Sequence, residues 1–346
     1  MQKIDFYSHN FFIASIRLIA IISMSFAVVH DSVAEEINQV EICAQVLSTP
    51  FPEKDRPTIV EKQALKGCDS DKLYYGYEKA GDSVNARKCA YIEMGPPDIS
   101  EGPFNSTHML MMIYANGEGV KRNLDLALRL ACEDKAGTAP AEYEGRITHL
   151  SQMRHQKRQD AFDYCSDITS GMWMGHCSYR QAAREEAKRN LQFANLNAYW
   201  TASDKQAFQT MQITWKNYLK AREGEVDQSG TARGAMVVED RKVLEQKFTV
   251  TLADFEKGSF PRYAESDFVK VDKELNLIYK QVQSAKRDGS MGTVTNEDIK
   301  LSQRAWLKYR DAWLIFARQK YPSVTEAAWK TWLTSERTAQ LKDDNP

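Results

Sequence analysis

The pattern Gln-x-x-Trp-x-x-Tyr occurs twice in this chain and constrains its fold more than any other feature. The i, i+3, i+6 spacing places the three side chains along one flank of an α-helix. Each copy follows a helix-forming stretch and precedes a helical stretch that carries an arginine. The sequence therefore predicts a repeated helical unit. The two copies are Gln212, Trp215 and Tyr218, followed by Arg241, and Gln303, Trp306 and Tyr309, followed by Arg337.

The composition also favours helices. Charged residues make up 27% of the chain, only 10 residues are proline, and no long alternation of β-branched residues is present. We therefore predict an all-α protein. The formal net charge is −1, from 46 basic and 47 acidic residues. This balance gives no electrostatic basis for binding nucleic acid or an anionic membrane, so neither is expected as a partner.

Residues 1–34 are predicted to be a signal peptide. A polar start leads into an apolar run at 18–29, shorter than the about 20 residues that cross a membrane. Ser32 and Ala34 supply a small-x-small cleavage pattern, so the mature chain would begin at Glu35. The rival interpretation is an uncleaved anchor. No cysteine directly follows the cleavage point, so we expect a periplasmic or secreted protein with no membrane anchor after cleavage.

All six cysteines lie beyond this segment. In an oxidising compartment an even number implies up to three disulfides. A metal site would need close pairs such as Cys-x-x-Cys, and the sequence has none. The histidines lack metal-motif spacing, and serine or cysteine nucleophile motifs are absent. We therefore expect no metal, no cofactor and no catalytic residue, that is, no enzyme. The cysteines are Cys43, Cys68, Cys89, Cys132, Cys165 and Cys177.

A helical hairpin is predicted over 108–133. Its first helix, which contains Tyr114, would end at an Asn-Gly turn, where glycine permits the left-handed conformation. Asn123 can cap a second helix, in which Ala127 allows close packing. The pattern resembles the Sel1-like repeat, a tetratricopeptide-like hairpin. On that resemblance 35–150 is assigned to a Sel1-like helical region.

Residues 160–341 resemble, as two copies, the N-terminal domain of the lysozyme-inhibitor LprI family. Its members are exported helical domains, often with a local cysteine pair followed by three helical signatures. These signatures are D-x-x-L-N-x-x-Y, Q-x-x-W-x-x-Y-R-D and T-x-x-R-x-x-x-L. The second copy, at 265–346, has all three, the last two including Arg310, Asp311, Thr334 and Arg337.

The first copy, at 160–256, departs from the family pattern. It retains the cysteine pair and the Gln/Trp/Tyr stripe, but it has Leu219 and Lys220 where Arg-Asp is expected and lacks D-x-x-L-N. The resemblance implies a Cys165–Cys177 disulfide. For the other four cysteines we expect Cys68–Cys89 across the first hairpin, leaving Cys43–Cys132, with other pairings of these four still open.

The recurring aromatic residues of the second copy are predicted to be core. Burying each aromatic side chain contributes about 2–3 kcal/mol, which favours packing over a ligand cage. Gln303 is expected to be a buried amide with partners inside the bundle. Arg310, Asp311 and Arg337 are predicted to form an inter-helix ion pair that fixes register. If they were exposed instead, they would suit contacts with a protein partner.

The resemblance implies a module that binds a protein, with lysozyme-type muramidases as the candidate partner and occlusion of the enzyme's cleft as the mechanism. The alternative is a Sel1-type envelope scaffold that presents helical hairpins to other proteins. A cell-envelope hydrolase is the third possibility. We expect the partner contacts in the loop 289–295, through Gly289, Ser290, Gly292 and Thr293, because loops on rigid scaffolds commonly carry recognition. The simpler interpretation of this loop is a helix connection.

Overall fold

Helices account for all the regular secondary structure in the described part of the computed structural model, which confirms the all-α prediction. None of these helices is long and apolar enough to cross a membrane. The predicted signal peptide lies outside the described residues. These are 38–77, 80–94, 105–135, 138–157, 160–285 and 292–343.

The described residues of the N-terminal part form seven α-helices, and from α3 onward each packs against the next. The α5–α6 hairpin has the predicted local chemistry. α5 ends at Gly117, which adopts a left-handed φ of 70°, and the Asn123 side chain accepts a hydrogen bond from the Leu126 amide at the start of α6. Ala127 is fully buried. The helices are α1 (Gln39–Val46), α2 (Ile59–Ala64), α3 (Ser70–Tyr75), α4 (Ser83–Glu93), α5 (Ser106–Asn116), α6 (Leu124–Glu133) and α7 (Pro140–His155).

Among the described residues, the C-terminal part has six long α-helices arranged in side-by-side pairs, α8 with α10, α9 with α12 and α11 with α13. The first and last pairs run parallel. Trp200, just after α8, donates to Glu256 at the end of α10 (2.9 Å), and Lys342 near the end of α13 lies 2.7 Å from Glu274 of α11. The helices are α8 (Gly171–Leu196), α9 (Ala202–Arg222), α10 (Arg233–Glu256), α11 (Glu265–Ser284), α12 (Asn296–Lys320) and α13 (Glu326–Asp343).

The central pair, α9 and α12, runs antiparallel. Gln319, at the end of α12, donates to Asp204 at the start of α9 (2.9 Å), and Gly224 lies beside Asp298 at the opposite end. These helices carry the two Gln/Trp/Tyr patterns, so the predicted copies meet through their middle helices. Buried residues from both copies form one hydrophobic cluster. The origin of this arrangement in a duplication stays a prediction.

Three disulfides connect cysteines that lie 89, 21 and 12 residues apart along the chain. One links α1 to α6, one links the turn before α3 to α4, and one links the 3₁₀ turn Tyr164–Asp167 to α8. The last joins the segment between α7 and α8 to α8 itself. No described cysteine is free. The pairs are those named from the sequence: Cys43–Cys132, Cys68–Cys89 and Cys165–Cys177, with Cα–Cα distances of 5.7, 6.0 and 5.8 Å.

Candidate functional site

The central helices pack through residues spaced alternately three and four apart. This is the spacing of a coiled-coil seam, which keeps one face of each helix against the other. Most of the seam residues are apolar or aromatic. The polar ones are Arg222 at the end of the α9 face and Ser302 on the α12 face. The residues are Phe208, Met211, Trp215, Tyr218 and Arg222 on α9, and Ile299, Ser302, Trp306, Tyr309, Trp313 and Phe316 on α12.

The two Gln/Trp/Tyr patterns meet at this seam but are not equally buried. Trp306 is 2% exposed, whereas Trp215 is half-buried, and the same contrast separates Gln303 from Gln212. The Trp215 ring lies 4.8 Å from that of Tyr309, and Tyr218 stacks on Tyr309 at 6.0 Å. Burial raises the pKa of both tyrosines, so their phenols stay protonated at neutral pH.

A buried ion pair joins the end of α13 to the turn after α9. Arg337, which is fully buried, donates from both terminal nitrogens to the carboxylate of Glu225, at 2.5 and 3.0 Å. Its Nε donates to Gln303 Oε1 (2.8 Å), and its other contacts are the hydroxyls of Tyr218 and Ser302. A bidentate pair with this many hydrogen bonds fixes how α9, α12 and α13 lie against one another.

A second arginine extends the network. Arg222 donates to Glu225 (2.5 Å) and to Asp240 on α10 (3.1 Å). Two guanidinium groups therefore share two carboxylates, which keeps the buried cluster neutral overall. Arg241 is arranged differently from Arg337, because it is half-buried and lies 3.5 Å from Glu223.

The prediction that Arg310, Asp311 and Arg337 form one ion pair is wrong. Arg310 pairs with its neighbour Asp311 (2.9 Å), whose side chain is exposed, and lies over the Trp306 ring at 5.5 Å. The two charged residues sit on the outer side of α12, while Arg337 points to the core side of α13. Its true partner, Glu225, had no family signature to mark it, although Arg222 and Glu225 have the i, i+3 spacing of a local ion pair. Thr334, one turn before Arg337, is fully buried.

An aromatic cleft lies between α10 and α13. Lys247 on α10 and Glu336 on α13 form an ion pair between its two sides. Trp313, on the α12 side, is 1% exposed, and no described group accepts a hydrogen bond from its indole N–H. The Trp313 and Trp332 rings lie 5.3 Å apart. We call this the aromatic cleft, and its main lining residues are Trp215, Lys247, Phe248, Thr251, Trp306, Tyr309, Trp313, Trp332, Glu336 and Gln340.

The predicted contact loop is tied to a second loop. The Thr293 amide donates to Asp227 (3.0 Å), and the Gln228 amide donates to the Thr293 hydroxyl (2.7 Å). Hydrogen bonds from Ser229 and then Thr293 hold the pKa of Asp227 below its usual range. Gly292 and Thr293 are exposed, and both belong to what we call the loop junction, residues 227–230 and 292–295. Gly289 and Ser290 lie outside the described residues.

One group of ligand-type side chains lies close enough together to suggest a metal among the described residues. It consists of Cys68, Cys89 and Glu93. The two cysteines form a disulfide, so their sulfurs are not thiolate ligands. While this disulfide is intact, the two sulfurs therefore cannot act as thiolate ligands of a metal ion.

Comparison with protein families adds one observation about the C-terminal helices. Residues 257–341 match the family model for lysozyme inhibitor LprI. The matched segment contains α11, α12 and most of α13, including Gln303, Trp306 and Arg337. The first copy at 160–256 and the Sel1-like repeat stay predictions. Comparisons with curated proteins and with solved structures gave no match. The LprI segment and the three disulfides together indicate an extracytoplasmic protein.

Proposed function

We propose that this protein is exported and binds a lysozyme-type muramidase, which it inhibits by covering part of the enzyme's cleft. The observation that carries the proposal is the match of 257–341 to the lysozyme-inhibitor family. The disulfides support it, because they suit the periplasm or the exterior, where such enzymes act. Inhibition by occlusion needs a rigid body and exposed contact residues, with no catalytic group.

The buried signature residues serve as the scaffold in this proposal. Trp306, Tyr309 and Arg337 hold the helices together and cannot reach a partner. The contacts must therefore come from exposed groups at helix ends or loops. The loop junction is our candidate, since Asp227 holds two loops in one arrangement before any partner arrives. Such preorganisation lowers the entropy cost of binding.

The direct test is an assay of muramidase activity on bacterial cell walls with added purified protein, residues 35–346. Enzymes of the c-type, the g-type and the bacterial lytic class are each assayed. We expect loss of activity with at least one class, saturating at a fixed ratio of inhibitor to enzyme. If all three classes retain full activity at an excess of folded protein, the inhibitor proposal is wrong.

A matched pair of variants tests the contact surface. Gln228→Arg adds a bulky cation to the exposed loop junction, whereas Gln209→Arg makes the same change on the exposed face of α9, away from that end. We expect weaker inhibition from the first and unchanged inhibition from the second, with equal thermal stability. Equal inhibition by both variants would place the contacts elsewhere on the surface.

The scaffold alternative has one observation in its favour. Helices α3 to α7 pack consecutively, as the hairpins of repeat proteins do, and such arrays bind other proteins through extended surfaces. In that case, the protein would leave muramidases active and would bind an envelope protein through its N-terminal helices. Hydrolysis of cell walls by the protein alone would instead support the hydrolase alternative.

A further inference from the structure

A cavity of about 280 Å³ lies where α8 and α10 meet the N-terminal part of the chain. Its walls come from these two helices, from Tyr75 on α3 and from the turn that begins at Asp163. Cavities that bind small molecules commonly measure about 300–1,000 Å³, so this one is close to the lower end of that range. We call it the charged cavity, and its charged lining residues are Asp163, Arg180, Arg184, Glu239 and Lys242.

Three of these charged side chains already have a partner in the folded protein. Lys242 donates to Glu239 (3.0 Å), one turn away on α10, so the charges of these two side chains cancel. Arg180 forms an ion pair with Asp71 on α3, which cancels its charge as well. Each pair is neutral and offers no net charge to a ligand. Two charged lining residues then remain.

The remaining two, Arg184 and Asp163, have no partner of opposite charge among the described residues. The Arg184 guanidinium carbon lies 4.4 Å from the centre of the Tyr75 ring, and the Asp163 carboxylate accepts a hydrogen bond at Oδ1 from the Cys165 amide (2.9 Å). Burial raises the pKa of the Tyr75 phenol, the Asp163 charge adds to the rise and the Arg184 charge opposes it, so both charges act at one phenol. A cation and an anion therefore line one small cavity without pairing with each other.

We propose that the charged cavity binds a free α-amino acid, whose carboxylate pairs with Arg184 and whose ammonium group pairs with Asp163. An α-amino acid carries both groups on one carbon. With one hydrogen bond at each end, it bridges two charges that do not reach each other directly. Hydrogen bonds between ionised groups are stronger than those between neutral groups. The site is independent of muramidase inhibition.

The lining favours such a zwitterion over a simple ion. A metal cation would find one carboxylate in the cavity and would lie near the Arg184 charge, whereas phosphate would lie near the Asp163 charge. Charges of like sign at short distance repel each other. The rings and methyl groups of Tyr75 and Val238 add apolar surface to the walls, and Val238 is buried. This surface suits a neutral side chain, because the other charged lining residues are paired.

The test is an NMR titration of the wild-type protein, residues 35–346, with L-alanine. Propionate and ethylamine are the matched probes, because the first lacks only the ammonium group and the second lacks only the carboxylate. The Arg184 Nε–H signal is followed at mildly acidic pH and is assigned from Arg184→Gln. We expect saturable movement of this signal with L-alanine. Each matched probe should bind about tenfold more weakly, because it lacks one hydrogen bond between ionised groups.

Variants of the two charged residues locate the response. Arg184→Gln removes the cation, and Asp163→Asn removes the anion but keeps an acceptor for the Cys165 amide. Arg262→Gln is the control, because Arg262 is exposed in the segment between α10 and α11. Excess L-alanine should raise the melting temperature more in the wild type and the control than in the two cavity variants, since a ligand stabilises the folded state that binds it.

Three results would overturn the proposal. The first is an Arg184 signal that does not move with L-alanine, and the second is equal affinity for L-alanine and either matched probe. The third is equal stabilisation of the wild type and both cavity variants, which would mean that L-alanine acts on the protein surface in general. None of these results depends on a muramidase. If a cavity variant does not fold, the wild-type titration with the three probes still decides the matter.

Discussion

Replacing Glu225 by glutamine is the sharpest test of how the bundle is held together. The change keeps the shape of the side chain and removes one negative charge from between Arg337 and Arg222. The carboxylate accepts hydrogen bonds from both guanidinium groups and from the Ser302 hydroxyl. After the change, Asp240 is the counter-ion that remains beside the two cations, and it contacts Arg222 only.

The magnitude follows from burial. The side chains of Arg337 and Glu225 are 0% and 2% exposed, so water cannot replace the lost charge. Removing one partner of such a pair costs about 3–5 kcal/mol, because the other charge stays buried without compensation. Arg337→Met should cost less than Glu225→Gln, since Glu225 would still be paired with Arg222. Changing Arg337 and Glu225 together to apolar residues should cost less than the sum of the single changes.

The assay is urea unfolding followed by far-ultraviolet circular dichroism, with the disulfides intact. Glu297→Gln is the control, because its pair with Lys300 on the same bundle is exposed and should contribute at most about 1 kcal/mol. A loss below about 1 kcal/mol for Glu225→Gln would mean that this network behaves like an exposed pair. The argument from burial would then fail.

Three further results are expected. Trp306→Ala should lower the free energy of unfolding by about 3–5 kcal/mol, and Trp215→Ala by about 2 kcal/mol, because the Trp215 indole is only half-buried. Denaturant unfolding measures both changes, and equal losses would contradict this prediction. Gly292→Ala forces a left-handed residue (φ 60°) and overlaps the Asp227 carboxylate, so amide hydrogen exchange at the loop junction should speed up. Hydrogen bonds, the largest from the Ser229 side chain, lower the pKa of Asp227 in the folded protein. These hydrogen bonds therefore stabilise the folded protein fully above the pKa of Asp227 in the unfolded chain, and the stabilisation is lost as the pH falls through the lower pKa of the folded protein. An NMR titration of the Asp227 carboxyl group measures that pKa. A normal or raised pKa of Asp227 would contradict the prediction.

Local chemistry along the chain predicted much of the fold. Asn123 and the glycine after α5 define helix ends through their own backbone and side-chain preferences, so neighbouring residues are enough to place them. The Cys165–Cys177 disulfide, between cysteines 12 residues apart, was instead implied by the family resemblance. The two helix ends depend on contacts within a few residues along the chain.

Contacts between distant segments were harder to predict. Glu225 meets Arg337 across 112 residues, and nothing near Glu225 in sequence marks it as buried. Arg310 was assigned to the wrong pair because a charged residue in a family signature can lie on either side of its helix. The aromatic cleft was not predicted for a related reason. A closed core would contain the same tryptophans that line the cleft, and the sequence does not show that α10 and α13 leave space between each other.

The pairing of α9 with α12 has a consequence for how far the LprI segment can be treated as a module. Residues 257–341 include the aromatic face of α12 but not α9, which covers it, and include Arg337 but not its counter-ion. Cut out of this chain, the segment would carry an open apolar seam and a cation with no anion. The segment that matches the family model is therefore not a folding unit by itself, and the smallest piece that keeps its core intact must begin before α9.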